Sequence, residues 1–409
     1  MTTAQNMAMT TPMADQDPPL GRRGFLGAVL GGTAVVAGGA GFGIRRARSP
    51  GGASTSAPPT GAAKTRPFYG PHQGGIATRP PAYCAVAAYD VLNETDLSRF
   101  GAAMGIVTDD LARITQGKPA LGDTAPMLAA SPAGLSVTVG LGPGLLKRYG
   151  IPAPAGFTAL EPFEPIDQLD PAYCDGDLVL VITSDDPLTV SHSLRMLTKD
   201  LRSFASIRWV QRGFHDASPT DTPRNLFGQK DGTVNPAADS EDFDASVWIN
   251  EGPWAGGTTL VVRRIRMEMD TWDTLDRSAM DEVVGRRLDT GAPLTGEHEH
   301  DIADLAATDE FGLPVIRKDA HIRLARADTP QQQLLRRPYN YDESSAESTD
   351  TGLIFLSYQA DLAAQFVPVQ QRLAESDLLN EWTTPVGSAV FAVLPGCAEG
   401  QILGDGVIA

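Results

Sequence analysis

From residue 84 onward the apolar residues alternate between a period of two and a period of three to four, and the order of those switches leaves few folds open. Cys84 to Tyr89 is a short apolar strand. Leu97, Phe100, Met104, Val107, Leu111 and Ile114 then share one helical face between Asp96 and Ile114. Leu135, Val137 and Val139 alternate as a half-buried strand, and Leu178 to Thr183 is a continuous apolar one. Val190, Leu194, Leu197 and Leu201 form a second helical stripe, and Ile207 to Gln211 reads as a closing strand. The order β-α-β-β-α-β predicts an α+β ferredoxin-like module with an antiparallel sheet.

The second half repeats that order less clearly. Leu260 to Met267 is a strand, and Thr271 to Val284 a helix with Trp272, Leu275 and Val283 inward. Leu353 to Tyr358 is a strand, Leu362 to Leu373 a helix interrupted near Pro368, and Ala389 to Leu394 the last strand. Between them runs a long insertion, Gly285 to Tyr341, of the kind that carries function in a compact domain. The boundary falls near residue 225, giving a leader over 1–66, one module over 67–225 and a second over 226–409.

Charge narrows the partners. The chain of 409 residues has 33 basic and 50 acidic side chains, of which 7 and 2 precede residue 67, so the remainder carries 26 against 48 and a net charge of −22. A body that acidic repels phosphate backbones and anionic lipid, which argues against nucleic-acid binding. Cys84, Cys174 and Cys397 form no C-x-x-C and no C-x-x-C-H, so neither a zinc ribbon nor covalent c-type haem attachment is available, and at most one disulfide. His72, His192, His215, His298, His300 and His321 are the histidine candidates for ligand or acid–base work.

The leader has the plan of an export signal. Arg22-Arg23 precede Phe25-Leu26 and an uncharged run from Gly24 to Ile44, closed by Arg45, Arg46 and Arg48. That run holds eight glycines, too many for a good membrane span. The pattern resembles a twin-arginine signal. It implies the twin-arginine translocation machinery as a partner, cleavage near Ala53 to Ala57, a flexible tether from Pro58 to Arg66, no stable membrane span in the mature form, and an extracellular or periplasmic destination for cargo already loaded with its cofactor.

Five segments occur in a telling order: Phe68-Tyr69-Gly70-Pro71-His72-Gln73-Gly74-Gly75-Ile76, Arg224-Asn225-Leu226-Phe227-Gly228-Gln229-Lys230-Asp231-Gly232-Thr233-Val234-Asn235-Pro236, Asp319-Ala320-His321-Ile322-Arg323-Leu324-Ala325, Leu334-Leu335-Arg336-Arg337-Pro338-Tyr339-Asn340-Tyr341, and Thr384-Pro385-Val386-Gly387-Ser388-Ala389. Together they resemble the dye-decolourising peroxidases over residues 67–397. The resemblance implies two ferredoxin-like modules joined in the manner of a dimeric α+β barrel, with one haem b in the C-terminal module. It also implies reduction of hydrogen peroxide, and oxidation of dyes, phenols or other one-electron donors through a ferryl state. A homo-oligomer is compatible with it.

Residue by residue, the resemblance makes His321 the axial ligand to iron and gives Arg323 a haem propionate to hold. Asp231 becomes the base that moves the peroxide proton, Arg336 the fixed positive charge, and Phe355 an apolar wall of the distal pocket. Arg337 competes with Arg336, since a shift of one residue exchanges them; Leu334-Leu335 favours Arg336. Lys230-Asp231-Gly232 reads equally as a hairpin turn. Asp361 is the candidate acceptor for the proximal imidazole's N–H, or the N-cap of the helix at Leu362.

Rival chemistries fit less well. No cysteine lies in the pattern of a thiolate-ligated monooxygenase, and the distal Arg-x-x-x-Phe-His run of plant-type peroxidases is absent from the sequence. Glu297-His298-Glu299-His300-Asp301 has chelating residue types but reads as a solvated acidic loop. Tyr339, Tyr341 and Trp382 sit beside the key segments, either as relays to surface substrates or as core packing. A deferrochelatase-like haem protein of iron acquisition is the other functional class, and a cofactor-free hydrolytic pair of Asp231 and His321 a third.

Overall fold

The molecule is described from a computed structural model covering residues 64–216, 221–329, 332–346 and 348–408. The first half gives strands β1 (Tyr83–Val91), β2 (Ser136–Leu141), β3 (Leu178–Ser184) and β4 (Ala205–Phe214), with helices α1 (Leu97–Ile114), α2 (Pro143–Tyr149) and α3 (Pro187–Leu201). Asp96 caps α1 by accepting from the Arg99 N–H, and Asp186 caps α3 through Leu188 and Thr189, so each helix starts where a carboxylate serves its free N–H groups. All pairings are antiparallel in the order β2-β3-β1-β4.

The second half contributes α4 (Glu241–Val247), β5 (Thr258–Met267), α5 (Met269–Trp272), α6 (Arg277–Val284), α7 (His321–Leu324), β6 (Leu335–Arg336), β7 (Tyr339–Asp342), β8 (Thr351–Gln359), α8 (Val367–Ser376) and β9 (Thr383–Val393). Here the order is β9-β5-β8-β7, the same arrangement again. β4 then meets β7 at Phe214↔Asn340, and β9 meets β2 at Gly140↔Val393 and Leu141↔Ala392. These two seams close the sheet into a barrel.

Closure, with the helices outside, explains why β1, β2, β3 and β5 are buried on both faces. Along β1, Ala85, Ala87 and Tyr89 pack with Phe100, Met104 and Leu111 of α1, whereas Cys84, Val86 and Ala88 pack with Leu260, Ile354 and Phe391 from the other half. The first set lies under the helices and the second inside the barrel. β2 is buried throughout, not half-buried as its alternation predicts, because both of its faces are covered.

Three elements depart from expectation. Thr271 to Val284 is two helices, α5 and α6, since Asp276 caps a fresh start by accepting from Ala279 N–H. The expected break near Pro368 is a π-helical turn over Leu362–Phe366 that leads into α8. The second half's missing strand is supplied as β6 and β7, two short pieces along β8 separated by Arg337-Pro338, where proline has no N–H to donate. Residues 1–63, with the export-signal reading, lie outside the described residues. Arg66, expected in a flexible tether, is buried and donates to the carbonyls of Gly134 and Arg79. Cys84, Cys174 and Cys397 are free and buried, and no helix among the described residues is long and apolar enough to cross a membrane.

Candidate active site

Asp231 is presented by a tight turn. Arg224 and Lys230 form an antiparallel bridge, Asn225 N–H donates to Gln229 O at 2.9 Å, and Asp231 N–H donates to Pro223 O at 2.9 Å. The turn reading and the site reading of Lys230-Asp231-Gly232 are therefore the same structure. Gly232 has φ +108, a conformation L side chains avoid, immediately after the aspartate. Lys230 is tied to Asp221 at 2.6 Å and to Glu299 at 2.5 Å, and Thr233 also donates to Glu299. Glu299, expected in a solvated loop, is thus a mostly covered anchor for this turn. Burial opposes its charge, but the hydrogen bonds from Lys230, Thr222 and Thr233 outweigh that and lower its carboxyl's pKa.

Arg336 on β6 is the arginine that meets Asp231. Its Nη1 lies 3.5 Å from Asp231 Oδ1. Asn235 fixes its backbone on both sides, donating to Arg336 O at 2.7 Å and accepting from Arg336 N–H at 3.0 Å. Asn235 was inside a quoted segment without a role, and this clamp supplies one. Arg337 is buried and donates to the carbonyls of Ile76 and Thr78, so the competition between the two arginines resolves to Arg336.

His321 opens α7 in the long insertion. Its Nδ1 is 2.6 Å from Asp377 Oδ2 at the end of α8, and Leu378 N–H donates to Asp319 O at 3.0 Å, so two contacts hold the segments together. Burial alone would lower the imidazole pKa; the charge and hydrogen bond of Asp377 override it and raise it, and Arg336 and Asp231 also act on the ring from across the site. With Nδ1–H given to a carboxylate, the other ring nitrogen presents its lone pair.

The carboxylate bonded to His321 is Asp377, and of the two readings of Asp361 the structure shows the N-cap, accepting from Ala364 N–H at 2.9 Å. Asp377 was missed because it lies 56 residues from His321 in a segment whose own pattern, an N-cap before Leu378–Glu381, explains it without a ligand. Arg323, expected at a haem propionate, gives its Nε to Arg317 O at 2.9 Å and its Nη2 to Leu305 O and Ile316 O, which pins the insertion and commits most of its fork to the chain. The reassignment has a direct check. Asp361→Ala is expected to cost about 1 kcal/mol of stability with haem binding unchanged, whereas Asp377→Ala weakens haem retention about 10- to 100-fold; equal haem retention in the two would overturn it.

The surroundings suit a flat apolar group. Phe355 faces outward from β8, its ring centroid 6.2 Å from that of Phe366. It joins the partly buried Ile265, Ile322, Leu378 and Trp382 around a buried cluster that includes Phe227 and Leu353. A Cβ on Gly285, at φ +87, would meet Ile322 at 2.8 Å, so glycine lets the start of the insertion close onto α7. An imidazole lone pair oriented by Asp377, apolar side chains beside it, and an aspartate–arginine pair whose charges reach that imidazole form a donor set that fits haem. Tyr339 and Tyr341 are core residues, bonded to Pro81 O and Asp350, while Trp382 packs edge-on to Trp272. No metal-holding cluster of His, Cys, Asp and Glu forms around residues 297–301 or elsewhere among the described residues. A groove of about 800 Å³ between Ser278, Arg287, Asp309 and Lys318 holds none of Asp231, His321 or Arg336.

Comparison with known proteins identifies the family. The sequence models of the Dyp-type peroxidase N-terminal and C-terminal regions match residues 73–215 and 222–398. A dye-decolorizing peroxidase of Thermobifida fusca is 38% identical over 360 residues, covering 82% of this chain and 83% of that protein. A deferrochelatase of Escherichia coli is 36% identical over 365 residues, covering 82% and 85%. The crystal structure of a DyP-type peroxidase from Cellulomonas bogoriensis has 47% identity and a TM-score of 0.82, covering 86% of this chain and 99% of that one. The chain belongs to the Dyp-type peroxidase family. It is a haem peroxidase, an oxidoreductase that takes peroxide as acceptor and a separate reducing substrate as donor.

Proposed function

We propose that this peroxidase works with His321 as the axial ligand, Asp231 as the base and Arg336 as the fixed charge. The observation that carries the assignment is the pairing of an Asp377-oriented imidazole with an aspartate–arginine pair 3.5 Å apart that acts on it. Haem held by His321 would supply the redox chemistry that couples two-electron reduction of peroxide to one-electron oxidation of the donor. Asp231 accepts the proton from one peroxide oxygen and returns it to the other, which leaves as water. Arg336 holds the peroxide anion with its guanidinium charge. Phe355 and its apolar neighbours keep bulk water out, and Asp377 keeps the imidazole electron-rich.

The reducing substrate is a dye, a phenol or another one-electron donor. A second reading, removal of iron from haem, draws on the relatives named deferrochelatase. Product analysis of the haem-loaded protein separates them: peroxide-dependent radical products from a phenol support the peroxidase assignment, and free protoporphyrin with an intact macrocycle supports the alternative. For the leader, we propose twin-arginine export with haem loaded beforehand, supported by Arg22-Arg23 and the glycine-rich run. N-terminal sequencing of exported protein tests it; an intact Arg22-Arg23 on the mature chain would count against it.

A further inference from the structure

Asp231 lines a cavity on the side of His215 and Asn340. The space is small, with about 10 Å³ open to the centre of a water molecule, and is lined by His215, Asp231 and Asn340, by Arg224 and Asn225, and by the apolar Pro223, Pro338 and Leu353. The Arg224 guanidinium is already committed to the carbonyls of Gly228, Leu288 and Asp289. One water fits a space of that size when polar partners surround it. Three buried polar atoms at these residues have no hydrogen-bond partner: Asp231 Oδ1, His215 Nε2 and Asn340 Oδ1. His215 and Asn340 are more than nine-tenths buried. Their other atoms are committed, since His215 Nδ1 faces Asp216 O at 2.5 Å and Asn340 Nδ2 donates to Arg224 O at 2.9 Å. A carbonyl only accepts, so Nδ1 carries the hydrogen and Nε2 is an acceptor.

We propose that a single water bridges Asp231, His215 and Asn340, making His215 a positioning residue and a temporary berth for the proton that Asp231 takes from peroxide. This rests on Asp231 being the base. Three acceptors with no hydrogen-bond partner in the protein face a water that has two hydrogens to give. Arg336 Nη1, 3.5 Å from Asp231 Oδ1, brings that oxygen a charge but no full hydrogen bond, so one acceptor is under-served while Asp231 is ionised. One added proton completes the set, whether it sits on Asp231 or on His215 Nε2. Transfer between the two costs no net atoms: a proton leaves Asp231 for the water as one leaves the water for Nε2, and the reverse step restores it for the departing oxygen.

The groups facing His215 favour a neutral ring at rest. Burial is the largest effect and lowers its pKa; the carbonyl hydrogen bond and charge of Asp216 oppose this, and Arg79 and Arg337 add to it. Tyr339, 5.1 Å away by ring centroid, packs against the imidazole without offering it a hydrogen bond. A berth of that kind fills briefly and empties, which suits a proton that must be returned.

The test uses the haem-loaded enzyme and a high-resolution crystal structure. The structure is expected to show one ordered water within hydrogen-bond distance of all three atoms, and a dry cavity would overturn the proposal whatever the kinetics. His215→Leu and His215→Gln are expected to slow the reaction with hydrogen peroxide about tenfold, less than loss of the base itself, with normal haem content and a larger solvent isotope effect. Glutamine keeps the polarity but cannot take a proton, so a wild-type rate in His215→Gln would overturn the berth. Failure of the base assignment is read separately, from an unchanged rate in Asp231→Asn.

Discussion

Asp231→Asn is expected to slow the second-order reaction with hydrogen peroxide by a factor of roughly 10² to 10⁴, with haem content and the ferric spectrum unchanged. The substitution preserves shape and one carbonyl oxygen, and it removes the ability to accept a proton. The fold should tolerate it. Asp231 holds its place through its backbone N–H, which donates to Pro223 O, and the turn around it is fixed by Lys230, Thr233 and Glu299. Its side-chain pairing with Arg336 at 3.5 Å is a part-exposed charge contact without a hydrogen bond, of a kind worth at most about 1 kcal/mol. Stopped-flow mixing with peroxide reads the rate directly. An unchanged rate would mean that Arg336 suffices alone, and the base would have to be sought elsewhere.

How much of this was legible beforehand varies with the physical range of each interaction. Helices α1 and α3 were readable because a long amphipathic stripe with a carboxylate at its start is a local property. β7 was not, because Tyr339–Asp342 is four residues beside a proline, and its pairing to Phe214 and Ile354 is long-range. Barrel closure was likewise beyond the periodicity, since only the seams at Gly140 and Phe214 distinguish it from two separate sheets.

Within the site, the same division holds. Asp231, His321 and Arg336 sit in ordered motifs, so a resemblance located them. Asp377 and Asn235 act through tertiary contacts across 56 and 101 residues, and neither contact leaves a periodic trace. Asp361 kept two readings because an N-cap aspartate and a carboxylate that serves an imidazole look identical in one dimension. The anchoring of Arg323 left no trace for a related reason: a guanidinium serves a carbonyl of the chain as readily as an external anion, and the carbonyls it meets, Leu305 O and Ile316 O, are set by the folded insertion.

His321→Ala is expected to abolish stable haem retention, and so activity, while the chain stays folded. In the proposed assignment the imidazole holds the iron, and its orientation is set by a 2.6 Å contact to a carboxylate that is itself tied by Leu379 N–H at 3.0 Å. Removing the ring leaves Asp377, whose side chain is only 3% exposed, short of one partner. That costs about 1–3 kcal/mol, a modest part of a fold whose barrel core lies in other residues. The readout is haem content after gel filtration, with circular dichroism to confirm the fold. Free imidazole, which replaces the missing nitrogen without the tether, should restore part of the retained haem. Normal retention in His321→Ala would remove His321 as the residue that holds haem and, with it, the proposal that Asp231 and Arg336 work on peroxide beside that haem.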